Sequence, residues 1–302
     1  MSSNHQARFY LHETLRQRAE RGEHNFINKI SEVLQSAGFR VSFDIPENAL
    51  PRKGEYSLFF MREPFARNSV SFRRAYYYPF WHIERTNERW YWDVAKTHFD
   101  TTKIDEAEAR KFFHTWRKRL YGPLLGKVEK GGFVYVPLQG RLLEQRSFQT
   151  CSPVQMIEHV LEQNPGTKVV ATLHPGEEYS LAERTRLDQL VEKHAQLSVQ
   201  LGGVESLLPC CDYVVTMNSS VAFAGYLLKK PAVLFGRIDF HHIAANVETL
   251  GVQGAFEKVR DMRPPYPQYL WWFLQHMSIN AGRSDAQDHI RARLAEFGWP
   301  VS

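Results

Sequence analysis

From Phe133 onward, short apolar runs alternate with amphipathic helical stretches over brief connections. That alternation narrows the fold more than any single motif. The runs are residues 133–138, 168–173, 197–201, 213–217 and 232–235, each of strand length and rich in β-branched or aromatic side chains. Helices are signalled between them. Ser152-Pro153-Val154-Gln155 is a capping box with proline at the first helical position, and Ser180-Leu181-Ala182-Glu183 is a second capping box. Asn164-Pro165-Gly166 turns the chain, and residues 221–228 read as a further helix. Strands separated by helices imply a parallel sheet covered on both faces. Such sheets bind ligands beyond the carboxyl ends of their strands.

Upstream, the spacing predicts helices over residues 9–21 and 24–37, the second capped by Gly38, and strands over 39–43 and 56–61. An aromatic segment, residues 75–93, fits no regular element. A basic-ended helix follows over 104–120, and Gly- and Lys-punctuated residues 122–132 read as a linker. Helices near 266–279 and 285–296 close the chain. The organisation is then a lobe over 1–125, a second and better-defined lobe over 126–282, and a terminal helix over 283–302.

Composition excludes several classes. Hydrophobic residues make up 43% of the 302, enough for a sizeable core. No run of about 18 apolar residues is present. The opening Met1-Ser2-Ser3-Asn4-His5-Gln6 is polar and lacks a signal core. Three cysteines, two of them adjacent as Cys210-Cys211, make a poor disulfide framework and point to a reducing compartment. A cytoplasmic protein is expected, with peripheral contact at the inner membrane left open. The net charge of +5 suits an anionic partner such as a nucleotide, an acidic glycan or a phospholipid surface. No nucleic-acid module is present. Walker, dinucleotide-fingerprint and nucleophile-elbow motifs are all missing. No Asp-x-Asp pair offers a divalent ion to a diphosphate, so metal-free chemistry is expected and no metal ligands are assigned.

Three loops follow the apolar runs: Pro137-Leu138-Gln139-Gly140-Arg141, His174-Pro175-Gly176-Glu177 and Asn218-Ser219-Ser220. A parallel sheet brings all three to one rim. The last opens a helix, where free N–H groups and the dipole favour an anion and two hydroxyls add donors. The plain alternative is that Asn218 or Ser219 only caps the helix. His174 can donate to a phosphate or a ribose hydroxyl from a loop stiffened by Pro175. Its alternative is a packing histidine. Gly236 permits close backbone approach. Arg237, His241 and His242 either face a ligand or form a solvated loop.

These residues resemble a known family. Val136-Pro137-Leu138-Gln139, Leu173-His174-Pro175, Met217-Asn218-Ser219-Ser220-Val221, Lys230-Pro231-Ala232-Val233 and Phe235-Gly236 look like the bacterial capsule-polysaccharide Kdo transferases. Tyr269-Leu270-Trp271-Trp272 and Met277-Ser278-Ile279-Asn280 are similar to that family's closing segment. The likeness spans roughly residues 130–282. It implies an α/β, GT-B-like fold of two Rossmann-type lobes with parallel sheets, the first lobe serving the acceptor. It implies transfer of Kdo from CMP-Kdo to a surface polysaccharide or its lipid-linked precursor, with no cofactor beyond that donor. His174 and Pro175 would contact the CMP moiety, and Ser219 and Ser220 its phosphate. The family carries an acidic residue shortly after Pro-Leu-Gln; here Glu144 is the nearest, at an offset spacing.

Glycosyl transfer needs a stabilised leaving phosphate, negative charge near the oxocarbenium and a base for the acceptor hydroxyl. Glu144, Glu177, Glu84 and Asp93 are the carboxylates available, with Glu144 and Glu177 on the rim. The aromatic segment either stacks a sugar or forms ordinary core. Two alternatives stand beside Kdo transfer: another nucleotide sugar such as a UDP-linked one, or a non-catalytic nucleotide- or glycan-binding component of a capsule assembly complex.

Overall fold

The computed structural model describes residues 5–50 and 54–301. The polar opening Met1–Asn4 lies outside the described residues. The chain runs β1 (Gln6–Tyr10), α1 (Glu13–Glu20), α2 (Asn25–Ser36), β2 (Arg40–Asp44), β3 (Glu55–Phe60), β4 (Ser69–Arg74), β5 (Phe80–Glu84), α3 (Asp93–Lys96) and α4 (Glu106–Tyr121). It continues through β6 (Phe133–Pro137), α5 (Pro153–Gln163), β7 (Lys168–Leu173), α6 (Leu181–Lys193), β8 (Leu197–Leu201), α7 (Val204–Leu207), β9 (Tyr213–Thr216), α8 (Ser220–Leu227) and β10 (Ala232–Leu234). It ends with β11 (Ala245–Asn246), α9 (Val247–Asp261), α10 (Tyr266–Trp271), β12 (Ile279–Asn280) and α11 (Ala286–Glu296).

Two compact units result: Met1–Thr97 with Trp272–Ser302, and His98–Trp271. The boundaries expected at 125/126 and 282/283 are displaced for a packing reason. Helix α4 packs on α10 and α8 within the second unit, and α11 packs on α2 within the first.

The first unit holds a sheet ordered β12-β5-β4-β3-β1-β2. Strands β2, β1, β3 and β4 are parallel, but β5 runs antiparallel to β4, and β12 antiparallel to β5. This sheet is therefore mixed, not the parallel one expected. The cause is a tight turn: Ala75 N–H donates to the Phe80 carbonyl at 2.8 Å, with Tyr76 at φ +64. So short a link cannot carry a crossover helix. Part of the aromatic segment becomes core here: Phe80, Trp81 and Trp92 are buried while Tyr78 and Tyr91 are exposed, and Trp81 of β5 stacks on Phe26 of α2 at 4.7 Å. Helix α2 supplies Phe26, Ile27, Ile30, Val33 and Leu34 to that core from one face. Each such burial contributes about 1.5–3 kcal/mol. The helix expected over 9–21 is split: Phe9 and Tyr10 belong to β1, a buried strand between β2 and β3, and the helix begins only after His12 caps it.

In the second unit the sheet order is β11-β10-β9-β6-β7-β8, all parallel. The chain winds outward from β6 to β8, returns to β9 beside β6, and winds outward again. That is the doubly wound dinucleotide-fold order, with its switch point between β6 and β9. Strand β6 is buried throughout, as a central parallel strand covered on both faces must be. The two capping boxes expected from sequence form at Ser152/Gln155 and Ser180/Glu183.

Candidate functional site

The carboxyl ends of β7, β6 and β9 are adjacent, so their three loops share one rim of the second unit. The His174 and Ser220 loops flank the β6 loop, two strand spacings or about 10 Å apart. Thr216 ties the centre together: its hydroxyl donates to the Pro137 carbonyl at 3.2 Å and accepts from Ser219 N–H at 3.3 Å. The switch point of the sheet therefore lies between the Pro137–Arg141 loop and the Asn218–Ser220 loop.

The two serines have different situations. Ser219 is 7% exposed and is the N-cap of α8, its hydroxyl accepting from Val221 N–H at 3.3 Å. That bond uses the acceptor side of the hydroxyl for folding. Ser220 is exposed at the first helical position, at the positive end of the helix dipole. Asn218 is also 7% exposed, and among the described residues its amide has no hydrogen-bond partner.

His174 is exposed at the end of β7. Its backbone N–H donates to the Tyr179 hydroxyl at 2.8 Å, which fixes the loop. Its Nδ1 accepts from Gly176 N–H at 3.0 Å. An Nδ1 that accepts places the ring proton on Nε2, leaving that atom as the donor. Pro175 is exposed and lies near the turn after β8, where a Cβ on Gly202 would sit 3.5 Å from its ring.

The rim carboxylates also differ. Glu144 is exposed and paired with Arg141 at 3.5 Å. Glu177 leans across to the β6 loop, since a Cβ on Gly140 would collide with its Oε2. Gly140 thus makes room for a carboxylate at the centre of the rim. Glu84 and Asp93 are both bound to Arg293 in the first unit. Arg141 itself has φ +61, a strained conformation for a non-glycine residue.

Gly236 has a structural duty that explains its residue type. Its N–H donates to the Met217 carbonyl at 2.9 Å, and a Cβ there would sit 3.1 Å from that oxygen and 3.2 Å from Phe148 O. The close approach is to the protein's own backbone. The segment after it is not a solvated loop: Ile238, Asp239 and Phe240 are buried. His241 and His242 stack at 4.2 Å, with Nδ1 contacts to Ile238 O at 2.8 Å and Tyr269 Oη at 3.1 Å. Arg237 reaches the Ser147 carbonyl at 2.8 Å.

Sequence reasoning missed Arg146. It lies half-buried in the loop after β6, with its guanidinium 4.8 Å over the Phe148 ring. Its Nε and Nη2 are buried and have no partner. Burial lowers its pKa and Arg141 adds to the effect, while Glu177 and Glu144 oppose it. Gln139, expected on this rim, is half-buried, and its Oε1 also lacks a partner. No short motif marks Arg146; only the folded loop brings its charge to Glu177. His174 and Ser220 are exposed on this rim, whereas the Nε and Nη2 of Arg146 are closed to solvent in the loop beside them.

No protein-family model matches the chain, and no curated protein matches it in sequence. Solved structures do match. Thermosulfurimonas dismutans KpsC, a beta Kdo 2,7 transferase, aligns at TM-score 0.52 and 13% identity over 98% of this chain and 100% of that one. The beta Kdo 2,4 transferase of KpsC from the same organism aligns at TM-score 0.46 and 12% identity, covering 88% and 89%. The wall teichoic acid polymerase TagF aligns at TM-score 0.31 and 12% identity, covering 98% and 90%. The first of these shows a shared fold. The chain is an α/β protein of GT-B-like architecture, with two Rossmann-type units built on parallel-rich sheets.

Proposed function

We propose that this protein is a glycosyltransferase that binds a nucleotide sugar on the carboxyl rim of its second unit. The observation that carries the proposal is the switch-point rim itself. His174 Nε2, the Ser220 N–H and hydroxyl, and the unpartnered Arg146 guanidinium are all donors there, and the sheet order is that of nucleotide-binding folds. The donor is CMP-Kdo, a choice supported by the sequence resemblance and the fold shared with a beta Kdo transferase. The acceptor is a surface polysaccharide or its lipid-linked precursor, handled in the cytoplasm or at the inner membrane surface. No nucleic acid takes part.

In the reaction, the bond between the anomeric carbon and the phosphate oxygen breaks and CMP leaves. The acceptor oxygen bonds to that carbon, and its proton passes to a carboxylate. The donors named above stabilise the charge growing on the phosphate without a metal ion. Asn218 and Gln139 supply further hydrogen bonds, and Pro175 holds the His174 loop. Glu177 is placed better for the carboxylate role than Glu144, because Gly140 seats it on the rim while Glu144 is paired with Arg141. That exposed ion pair also favours a second reading, a nucleotide- or glycan-binding component that does not turn over.

Calorimetry with CMP and UDP tests the nucleotide, and incubation with CMP-Kdo and lipid-linked acceptor tests turnover. CMP binding with transfer is expected, and Glu177→Gln should slow transfer about 100-fold or more while Glu144→Gln does not. Failure to bind either nucleotide would overturn the proposal. Binding without transfer would establish the second reading.

A further inference from the structure

The amino edge of the second sheet carries a different feature. A cavity of about 490 Å³ opens there, bounded by Lys130 before β6, Tyr213 at the start of β9 and Pro231 before β10. It therefore lies at the opposite end of the strands from the candidate donor site. Five cations line it: Lys130, Lys229, Lys230, Arg260 and Arg263. The only carboxylate among the lining residues is Asp212, whose Oδ1 already accepts from Gly132 N–H at 3.1 Å. None of the five cations joins an ion pair among the described residues.

Part of this charge serves folding. Lys230 is 4% exposed, and its ammonium donates to the carbonyls of Glu129 at 2.5 Å and Cys211 at 2.7 Å. The C-terminal ends of α8 and α9 also reach this edge, each worth about half a negative charge. The neutral carbonyls leave the Lys230 charge in place, so the five cations against Asp212 leave +4, and the two helix ends reduce that to about +3. Each arginine gives one N–H to a carbonyl, Arg260 to Gln163 and Arg263 to Met262, and keeps the rest of its fork.

One further observation points to a ligand. Tyr266 lines the cavity at 6% exposure, with a hydroxyl that has no partner. Lys229 stands at φ +59 just past the end of α8, a left-handed position normally filled by glycine or asparagine. A lysine there strains the backbone, and its ammonium lies 5.9 Å from the centroid of the Phe113 ring. Val259, Met262 and Pro264 give the cavity an apolar wall.

We propose that this cavity is a second anion site, taking a phosphate monoester or diphosphate carried on an organic group. A charge of about −2 to −3 falls within that surplus, and the apolar wall accommodates the body that bears it. A soluble organophosphate and a lipid headgroup share this chemistry.

The test uses the full chain, inorganic pyrophosphate in calorimetry, and flotation on phosphatidylcholine vesicles with and without phosphatidic acid. Lys229→Gly is the informative variant, because it relieves the backbone strain while removing the charge. It should unfold at a higher temperature yet bind pyrophosphate or phosphatidic acid vesicles about tenfold more weakly, and Arg263→Ala should weaken binding similarly. CMP affinity should stay unchanged in both. Pyrophosphate binding without vesicle recruitment identifies a soluble organophosphate, and recruitment by phosphatidic acid identifies a lipid headgroup. If neither probe binds, or if both variants bind as well as the native chain, the site does not exist.

Discussion

Replacing Glu84 by glutamine should move the pH of greatest stability, and the reason can be worked from its neighbours. One guanidinium serves three carboxylates: Arg293 reaches Glu84 at 2.7 Å, Glu296 at 2.8 Å, and Asp93. Of the three, Glu84 alone is buried, at 6% side-chain exposure against 54% for Asp93 and 62% for Glu296. Burial of Glu84 dominates, Asp93 adds to it, and together they outweigh the pull of Arg293, raising the Glu84 carboxyl from 4.5 to about 8. Beside it, burial pushes His82 down from 6.5 to about 3, reinforced by Arg293. Between 4.5 and about 8 the native state holds a Glu84 proton that the unfolded chain has released, so stability falls as pH rises. Between about 3 and 6.5 the unfolded chain holds a His82 proton that the native state lacks, so stability rises with pH. The two slopes cancel from 4.5 to 6.5. Above 6.5 only Glu84 acts, over about 1.5 pH units at about 1.4 kcal/mol each, a loss of about 2 kcal/mol. Glu84→Gln keeps the shape of the protonated acid and should erase that alkaline loss. With the His82 slope no longer opposed, the variant should be most stable above pH 6.5. Urea unfolding at a series of pH values, taken as native minus variant, measures this. A difference curve that stays flat from pH 6.5 to 8 would refute the proton assignment to Glu84.

Three other outcomes are expected. Gly236→Ala should cost about 1–3 kcal/mol, because the neighbours of its new methyl are backbone carbonyls that cannot rotate away; native-like denaturation midpoints would contradict this. Ser219→Ala should lower stability by about 1 kcal/mol through the lost cap, whereas Ser220→Ala should leave stability alone and weaken CMP binding about tenfold. Unfolding and calorimetry on the same pair of variants separate the two roles. Arg146→Gln should weaken CMP by about tenfold without loss of stability, since its Nε and Nη2 satisfy nothing in the protein; a destabilised variant with unchanged CMP affinity would show a packing role instead.

The second unit was readable because its signals are local. Strand β6 is continuously apolar, and Ser152 and Ser180 each begin a capping box that announces a helix. Elements whose cause is distant were not readable. Strand β4, Ser69–Arg74, mixes serine and arginine with apolar residues and becomes a strand through pairing with β3 and β5. Helix α9 carries Gly251 and Gly254, and Gly251 breaks it at φ +68, so its helical spacing is interrupted in the sequence. Strand β12 is two residues long and exists only because β5 offers an edge. The first sheet turned out mixed for a similar reason, since nothing in residues 75–79 announces a reversal until Ala75 and Phe80 pair.

The rim shows the same division between local and distant causes. The sequence placed His174 and Ser219-Ser220 on loops of one sheet, and parallel winding from β6 is enough to put those loops on one side. It could not separate the two serines, because either can cap a helix, and only the extended backbone of Ser219 assigns it the capping role. Nor could it rank the carboxylates, since Glu177 gains its place from a missing side chain at Gly140 on another strand's loop. Arg146 was least visible: it lies between β6 and α5 with no pattern around it. Yet a buried guanidinium with two unsatisfied N–H groups is costly to keep. Gln139 Oε1, an acceptor, is orphaned on the same loop. Both arginine atoms are closed to solvent, so a phosphate would meet these N–H groups only if the loop opened, and the Arg146→Gln comparison of stability with CMP affinity separates that proposal from a packing role.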